Sequence, residues 1–358
     1  MTIPDQMCAA IIRQHGGPEA IKIERVATPK PGSGDVLIAV AAVGLNHLDV
    51  FAREGLKGPG VPPVHLPHVS GVDIAGVIAA QGEGVSEPRV GARVLVNPSV
   101  GCGVCKFCRR GEYTMCAQHR IIGEHLWGGL AEYVVVPARN VILLPEQVRF
   151  TQAAAVPAAY TTAWRAVVTV GQLRVGERVL IVGASGGVAC AALQIAVQAG
   201  ARVYATVGSA AKRKRALELG AEKVFDSHAH WGDAVLRETN DEGVNLVLDA
   251  VGAPTWRQSI QSLAMEGRMV ISGATGGDNP AISIREIYQW HRRILGAPLG
   301  NWQDFMEVTQ LVFNGAIVPE VFAVYPLEKI AEAEQALDER KHFGKIVIEV
   351  AGDGVARK

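Results

Sequence analysis

The sequence predicts an α/β protein in which a β-rich first part precedes a doubly wound parallel-sheet domain. Three observations carry this reading. The 358 residues exceed one ordinary core and suggest two domains. Up to about residue 150, short apolar runs alternate with Gly/Pro punctuation, the texture of an antiparallel, barrel-like domain. After about residue 155, near-continuous apolar strand runs alternate with helical ones, the pattern of a parallel sheet covered on both faces.

In the first part, strands are expected at "DVLIAVAAVG" (35–44), "DIAGVIAAQG" (73–82), "ARVLVNPS" (92–99) and "AEYVVVPA" (131–138). Between the last two lies "GCGVCKFCRRGEYTMC", which holds Cys102, Cys105, Cys108 and Cys116. Gaps of two, two and seven residues give a compact four-thiolate set that can close tetrahedrally around Zn²⁺. Iron–sulfur runs place the fourth thiolate differently. Four thiolates leave no open position for substrate, so the metal is read as structural, and Lys106, Arg109 and Arg110 offset the surplus negative charge. Such crowding is unlike a disulfide scaffold, whose cysteines spread along a short secreted chain. Cys8 and Cys190 stand apart in apolar contexts and read as packing residues.

The second part opens with "VLIVGASGGVACAALQ", a Gly-rich turn between a buried strand and a helix. Such a turn admits a phosphate close to the backbone, and the helix N-terminus supplies N–H groups and a positive dipole end. The G-x-G-x-x-G template is met only loosely, by Ala184, Gly186 and Ala189 with Gly183 and Gly187 beside them. Dinucleotide contacts are expected from Ala184, Ser185, Gly186, Gly187 and Val188. The next strand, "ARVYATVG", ends near Val207 without the Asp or Glu that would grip a ribose 2′-hydroxyl. Gly208, Ser209 and "KRKR" (212–215) follow. A hydroxyl and cations suit a 2′-phosphate, which favours NADP(H) over NAD(H) and singles out Ser209, Lys212 and Arg213. Later strands come from "EKVFDS", "GVNLVLDAVG" and "GRMVISGATGG", with Val251 and Gly273 as further cofactor positions. An amphipathic helix ("PLEKIAEAEQALDER") and a strand ("GKIVIEV") close the chain.

Composition bounds the partners. The chain is 49% hydrophobic and 20% charged, which does not suit a disordered protein. Its net charge of zero offers no basic surface for nucleic acid or an anionic membrane. "MTIPDQMCAAIIRQHGG" lacks a basic leader, and no run approaches the roughly 18–20 apolar residues of a membrane span. A cytoplasmic location is therefore expected.

The order of "GLNHLDVFAREG", "LPHVSGVDIAGVI", "VGARVLV", the cysteine lobe, "GGLAEYVVVP", "AAYTTAWRAV", "VLIVGASGGV" and "GKIVIEV" resembles the medium-chain dehydrogenase/reductase superfamily of zinc alcohol dehydrogenases and quinone oxidoreductases. The resemblance implies a GroES-like catalytic domain (1–155 and 300–358) with a structural zinc lobe at about 98–120. It also implies a Rossmann NAD(P)-binding domain at 156–299. Members with a catalytic zinc typically use Cys, His and Cys, with a Glu after the His. Here those positions hold Asn46, Val72 and, at or beside the last, Ala158, while Asp73 replaces the Glu. Val and Ala cannot coordinate, and an Asn carbonyl alone makes a poor zinc site. A rearranged site using His47, Asp49, His65 or His68 is the alternative.

Without a Lewis acid, ordinary alcohol/ketone exchange loses several kcal/mol of charge stabilisation. Quinones and α,β-unsaturated carbonyls spread the arriving charge themselves. The expected function is thus NADPH-dependent hydride transfer to a quinone or enone, with the nicotinamide between the domains at the carboxyl ends of the sheet strands. The alternatives are an alcohol/aldehyde-type carbonyl reductase and a non-catalytic nucleotide-binding protein. The resemblance makes Asn46 a polar contact near nicotinamide or substrate. Asp49 either orients that loop or closes an Asx hydrogen bond. Tyr160 either donates to a carbonyl or packs. Thr161 and Trp164 begin the linking helix beside the site, with Thr161 and His47 as cofactor contacts. Trp127 walls either a substrate pocket or the lobe. A homodimer or homotetramer is expected through the edge strand near "RRILGAPLG" (292–300).

Overall fold

The computed structural model describes residues 2–55 and 64–352. Its chain forms two compact units, Met1–Ala158 with Val318–Lys358, and Ala159–Ile317. Among the described residues no helix is long and apolar enough to cross a membrane.

The first unit is built on the strand Asp35–Gly44, whose ten residues are buried almost throughout. The run "DVLIAVAAVG" has no polar alternation because the strand is central. It pairs antiparallel with Asp73–Gln81, with Tyr133–Pro137 and with the closing strand Lys345–Glu349. Lys345–Glu349 in turn runs parallel to Val321–Pro326. Arg93–Val96 extends the sheet beyond Asp73–Gln81. A smaller sheet joins Gln6–Ile12 to Ile21–Ala27 and His68–Val69. Val36, Ile38, Ile74, Val134, Ile346 and Ile348 share one core. Each such side chain contributes about 1.5–3 kcal/mol on burial.

In the second unit six strands lie in one sheet. They are β1 (Arg178–Ile181), β2 (Arg202–Val207), β3 (Lys223–Asp226), β4 (Val244–Asp249), β5 (Leu263–Ile271) and β6 (Arg293–Gly296). Their spatial order is β3-β2-β1-β4-β5-β6, and every neighbouring pair is parallel. The helices α1 (Gly187–Gln198), α2 (Ala210–Glu218), α3 (Trp231–Glu238) and α4 (Ala253–Gln261) connect successive strands. Strand order reverses between β1 and β4, and in such sheets ligands bind outside the carboxyl ends at that point.

One boundary differs from the sequence expectation. The sequence suggests a return to the first unit at about 300, whereas the helix Trp302–Phe313 stays with the second unit. Asn301 and Asp304 form a capping box at its start, with bonds of 2.7 and 2.8 Å. The Asp304 carboxylate also takes the Arg165 guanidinium at 2.9 Å, so helix and linker are held together. The chain crosses back only at Val318.

Candidate functional site

Three clusters of side chains carry the chemistry. In the cysteine lobe the sulfurs of Cys102, Cys105, Cys108 and Cys116 all lie within 4.8 Å of one another. Cys102 and Cys108 are 3.9 Å apart, close to the edge of about 3.8 Å that a tetrahedron of Zn–S bonds near 2.3 Å requires. Backbone N–H groups already point at three of the sulfurs: Cys105 N at Cys102, Cys108 N at Cys105, and Gln118 N at Cys116. The N–H groups of Val104 and Cys105 draw the Cys102 thiol down to about 6, whereas burial pushes Cys108 up to about 12. Lys106 and Arg110 sit over the Phe107 ring, at 5.0 and 5.4 Å, as the cations of the lobe. This donor set fits a structural Zn²⁺.

The second cluster stands where a catalytic zinc would be held, and its residues do not fit that ion. Val72 and Ala158 are buried and offer no side-chain donor. Asn46 and Asp73 are engaged by a cation the sequence reading missed, Lys345 at the start of the closing strand. The Lys345 ammonium donates to Leu45 O at 2.6 Å, to Asn46 Oδ1 at 2.7 Å and to Asp73 Oδ2 at 3.0 Å. Asp73 Oδ2 also accepts from Asn46 Nδ2 at 3.0 Å, and its Oδ1 from the Ala158 N–H at 2.6 Å. Lys345 and Asp73 are both buried, so this is an internal ion pair. The one available signal was a lysine opening an otherwise apolar strand, "GKIVIEV".

Asp49 supports the same corner from below. Its carboxylate accepts from Asn46 N and Gly71 N, each at 2.8 Å, closing a capping box at the helix His47–Glu54. Burial pushes this carboxyl up to about 7, against the pull of the two N–H groups. Both oxygens are engaged, so Asp49 acts on the loop that carries Asn46. His47 is half-buried near Arg340, and burial followed by that charge holds it below the ordinary imidazole range. His65 is exposed, whereas His68 is buried and donates from Nε2 to Gly123 O at 2.9 Å. Trp127 donates to Pro67 O and lines a cavity of about 1140 Å³ with Cys102, His119 and Tyr133, a place beside the lobe.

The third cluster is the Gly-rich turn. Gly183 takes a φ of +65°, which favours glycine, and its N–H bonds Thr206 Oγ1 at 2.9 Å. Ala184 N bonds Thr206 O, fixing the turn to β2. The first α1 hydrogen bond runs from Cys190 N to Gly186 O. The N–H groups of Gly187, Val188 and Ala189 therefore head the helix without an intrahelical acceptor, as an anion site needs. Lys212 reaches from α2 to Ser185 Oγ at 3.2 Å, while Ser209 caps α2 through Lys212 N. Arg213 is placed elsewhere. It lines a separate cavity of about 610 Å³ with Trp231 and Arg237, because adjacent helical residues point about 100° apart.

Val251 and Gly273 follow β4 and β5 at their carboxyl ends. Buried Asp249 holds the first of these loops, accepting from Val251 N, Gly252 N, Thr255 Oγ1 and Ser259 Oγ. In the second unit two buried hydroxyl oxygens, Thr161 Oγ1 and Ser272 Oγ, have no partner among the described residues. These orphaned donors and the open helix head fit a dinucleotide. Ser272, just before Gly273, was not anticipated. Of the two readings of Tyr160, the structure shows a buried side chain, 1% exposed, whose hydroxyl donates to Gln194 Oε1 at 2.6 Å. Trp164 likewise donates to Glu307 at 2.9 Å.

Comparison with known proteins agrees with this geometry. Residues 187–314 match a zinc-binding dehydrogenase model, and residues 32–146 an alcohol dehydrogenase GroES-like domain. A quinone oxidoreductase of Rattus norvegicus is 31% identical over 96% of this chain and 97% of its own. A solved NAD-dependent alcohol dehydrogenase superposes with a TM-score of 0.91 at 38% identity, covering 96% of this chain and 100% of that one. A crotonyl-CoA carboxylase/reductase solved with NADP gives a TM-score of 0.90 at 27% identity, covering 98% and 96%. With two domain models in register and relatives matched along nearly their whole length, the chain belongs to the zinc-binding dehydrogenases of the medium-chain dehydrogenase/reductase superfamily of oxidoreductases.

Proposed function

We propose that the protein is an NADPH-dependent reductase of quinones or α,β-unsaturated carbonyls that works without a catalytic metal and carries one structural zinc per chain. One observation carries the reading. At the positions of the catalytic zinc ligands stand Asn46, Val72 and Ala158, and the one polar side chain among them, Asn46, gives its Oδ1 to the Lys345 ammonium, which also takes the neighbouring Asp73. The bound nicotinamide supplies hydride. The chain's residues bind and orient: the Gly187–Ala189 N–H groups hold phosphate, Ser209 and Lys212 face the 2′-phosphate, and Asn46, its amide held by Lys345 and Asp73, shapes the loop near the reacting end. Thr161 and Ser272 offer hydroxyls to the nicotinamide half. Tyr160 is not assigned to proton transfer, since its hydroxyl is committed to Gln194. With no metal to hold a developing alkoxide, substrates that delocalise their own charge are favoured.

The second reading, an NAD(H)-dependent alcohol or carbonyl oxidoreductase, draws on the similarity to the NAD-dependent alcohol dehydrogenase. Three measurements separate the two. Zinc per chain should be one. NADPH should bind tighter than NADH in a fluorescence titration. NADPH oxidation should proceed with 9,10-phenanthrenequinone or crotonyl-type enones and be weak with simple aldehydes. Two zincs per chain and turnover of aldehydes alone would establish the second reading instead.

We further propose a homodimer through β6. That strand is the sheet edge, and exposed apolar side chains accompany it: Ile284, Tyr288 and Trp290 on the preceding segment, and Met265 on β5. An edge left unpaired among the described residues, with an apolar border, suits a symmetric partner.

A further inference from the structure

We propose that His228 and Ser227, in the turn after β3, are specificity-determining residues that recognise the cofactor's 2′-phosphate, in place of a side chain from the end of β2. This rests on the NADP reading above and adds the groups that would carry it out. The end of β2 carries no acidic residue, and its next position, Gly208, has no side chain. A Cβ built on Gly208 would lie 2.9 Å from His228 Nε2 and 3.3 Å from Ser227 Oγ. The imidazole thus occupies the volume that a residue-208 side chain would take in gripping a ribose.

The turn that delivers it is fixed at both ends. Ser227 N bonds Val207 O at 2.9 Å, tying the turn to β2. His228 N bonds Asp226 Oδ1 at 2.9 Å. Asp226 is the one carboxylate in this turn, and Ser209 and Lys212 with its partner Ser185 face the same end of β2 from α2 and the Gly-rich turn. Arg213 and His230 line the separate cavity with Asp226. The ring nitrogen and the Ser227 hydroxyl therefore lie against a backbone position left open by glycine, next in sequence to Ser209, which itself stands three residues before Lys212. A doubly charged phosphate can accept from all of them, and charge-assisted bonds of this kind are the strong ones.

The test uses adenosine 2′,5′-bisphosphate and 5′-AMP as probes of the full chain, titrated by calorimetry. Wild type should prefer the bisphosphate. His228→Ala should weaken the bisphosphate by about 10-fold and leave 5′-AMP within about 2-fold, since one charge-assisted bond is at stake. Gly208→Ala should do the same by displacing the ring. The double variant should be no worse than either single one, because both remove the same contact. An equal loss for the two probes would make the ring merely structural and overturn the assignment. An unchanged bisphosphate affinity in His228→Ala would overturn it while leaving the NADP reading intact. A wild type without preference for the bisphosphate would remove both.

Discussion

Replacing Lys345 by Met keeps most of the stem volume and deletes the charge that organises the first unit's polar corner. The ammonium now serves Leu45 O, Asn46 Oδ1 and Asp73 Oδ2, and its side chain is 3% exposed beside a fully buried carboxylate. Breaking such a pair costs about 3–5 kcal/mol, because Asp73 is left as a buried, uncompensated charge. The two further orphaned acceptors keep the cost in the upper part of that range. For a unit of about 200 residues, 1 kcal/mol moves the melting temperature by about 2–4 °C, so Lys345→Met should lower it by about 8–20 °C. Differential scanning fluorimetry on wild type, Lys345→Met, Asp73→Asn and the double variant checks this. The double variant should recover at least 2 kcal/mol relative to additivity, since Asp73→Asn removes the stranded charge. A Lys345→Met loss below about 1 kcal/mol, or a coupling near zero, would refute the view that this pair sets the corner.

Three further outcomes are expected. Cys116→Ser removes one of the two buried thiolates, so zinc per chain should fall from one toward zero by plasma mass spectrometry, and trypsin should cut at Arg109 or Arg110. Burial holds His119 down at about 4, so as pH falls from about 6.5 the unfolded chain binds its proton first and native stability drops. His119→Gln should therefore lose less stability than wild type between pH 6.5 and 4, by about 1–2 kcal/mol after solvent screening, read from urea midpoints. The comparison between two proteins matters because Asp49 and Glu334, raised to about 7 by burial, act in the opposite sense: their native forms take up protons first. Ile284→Asp with Tyr288→Asp should convert a dimer into a monomer by light scattering with the fold unchanged by circular dichroism.

What the sequence discloses follows the range of the interactions. The strand Asp35–Gly44 coincides with its apolar run because every residue of the run is local evidence. Gaps of two, two and seven residues likewise encode the sulfur cluster, whose ligands lie within 15 positions. Lys345 and Asp73 are 272 residues apart, and no local pattern joins them. A lysine at a strand start reads as a solvated end, and only the pairing of Lys345–Glu349 against Asp35–Gly44 takes it inside. Arg213 shows a second limit. A charge run marks a helix face as basic but does not say which member points at the Gly-rich turn, and here it is Lys212. Tyr160 shows a third, since its partner Gln194 sits on another helix, 34 residues away.

The polar corner also explains why an acidic residue persists beside positions that have turned apolar. Asp73 does three jobs that need no metal: it receives the Ala158 N–H, the Asn46 amide and the Lys345 ammonium. Each of those donors is buried or nearly so, and each would be costly to leave unmet. Asp49 lies close enough for the Asp73 charge to add to the rise in its own carboxyl, with Lys345 pulling the other way. The corner therefore balances two carboxylates against one ammonium and a set of backbone N–H groups. Remove the ammonium, and the nearer carboxylate becomes unpaired while the second is pushed further toward its protonated form. Asn46 then loses the acceptor side of its amide contacts, and the loop that carries it loses the reference that fixes its position. On this argument the amide at position 46 is positioned by charge neutrality, and that neutrality is supplied from the opposite end of the chain.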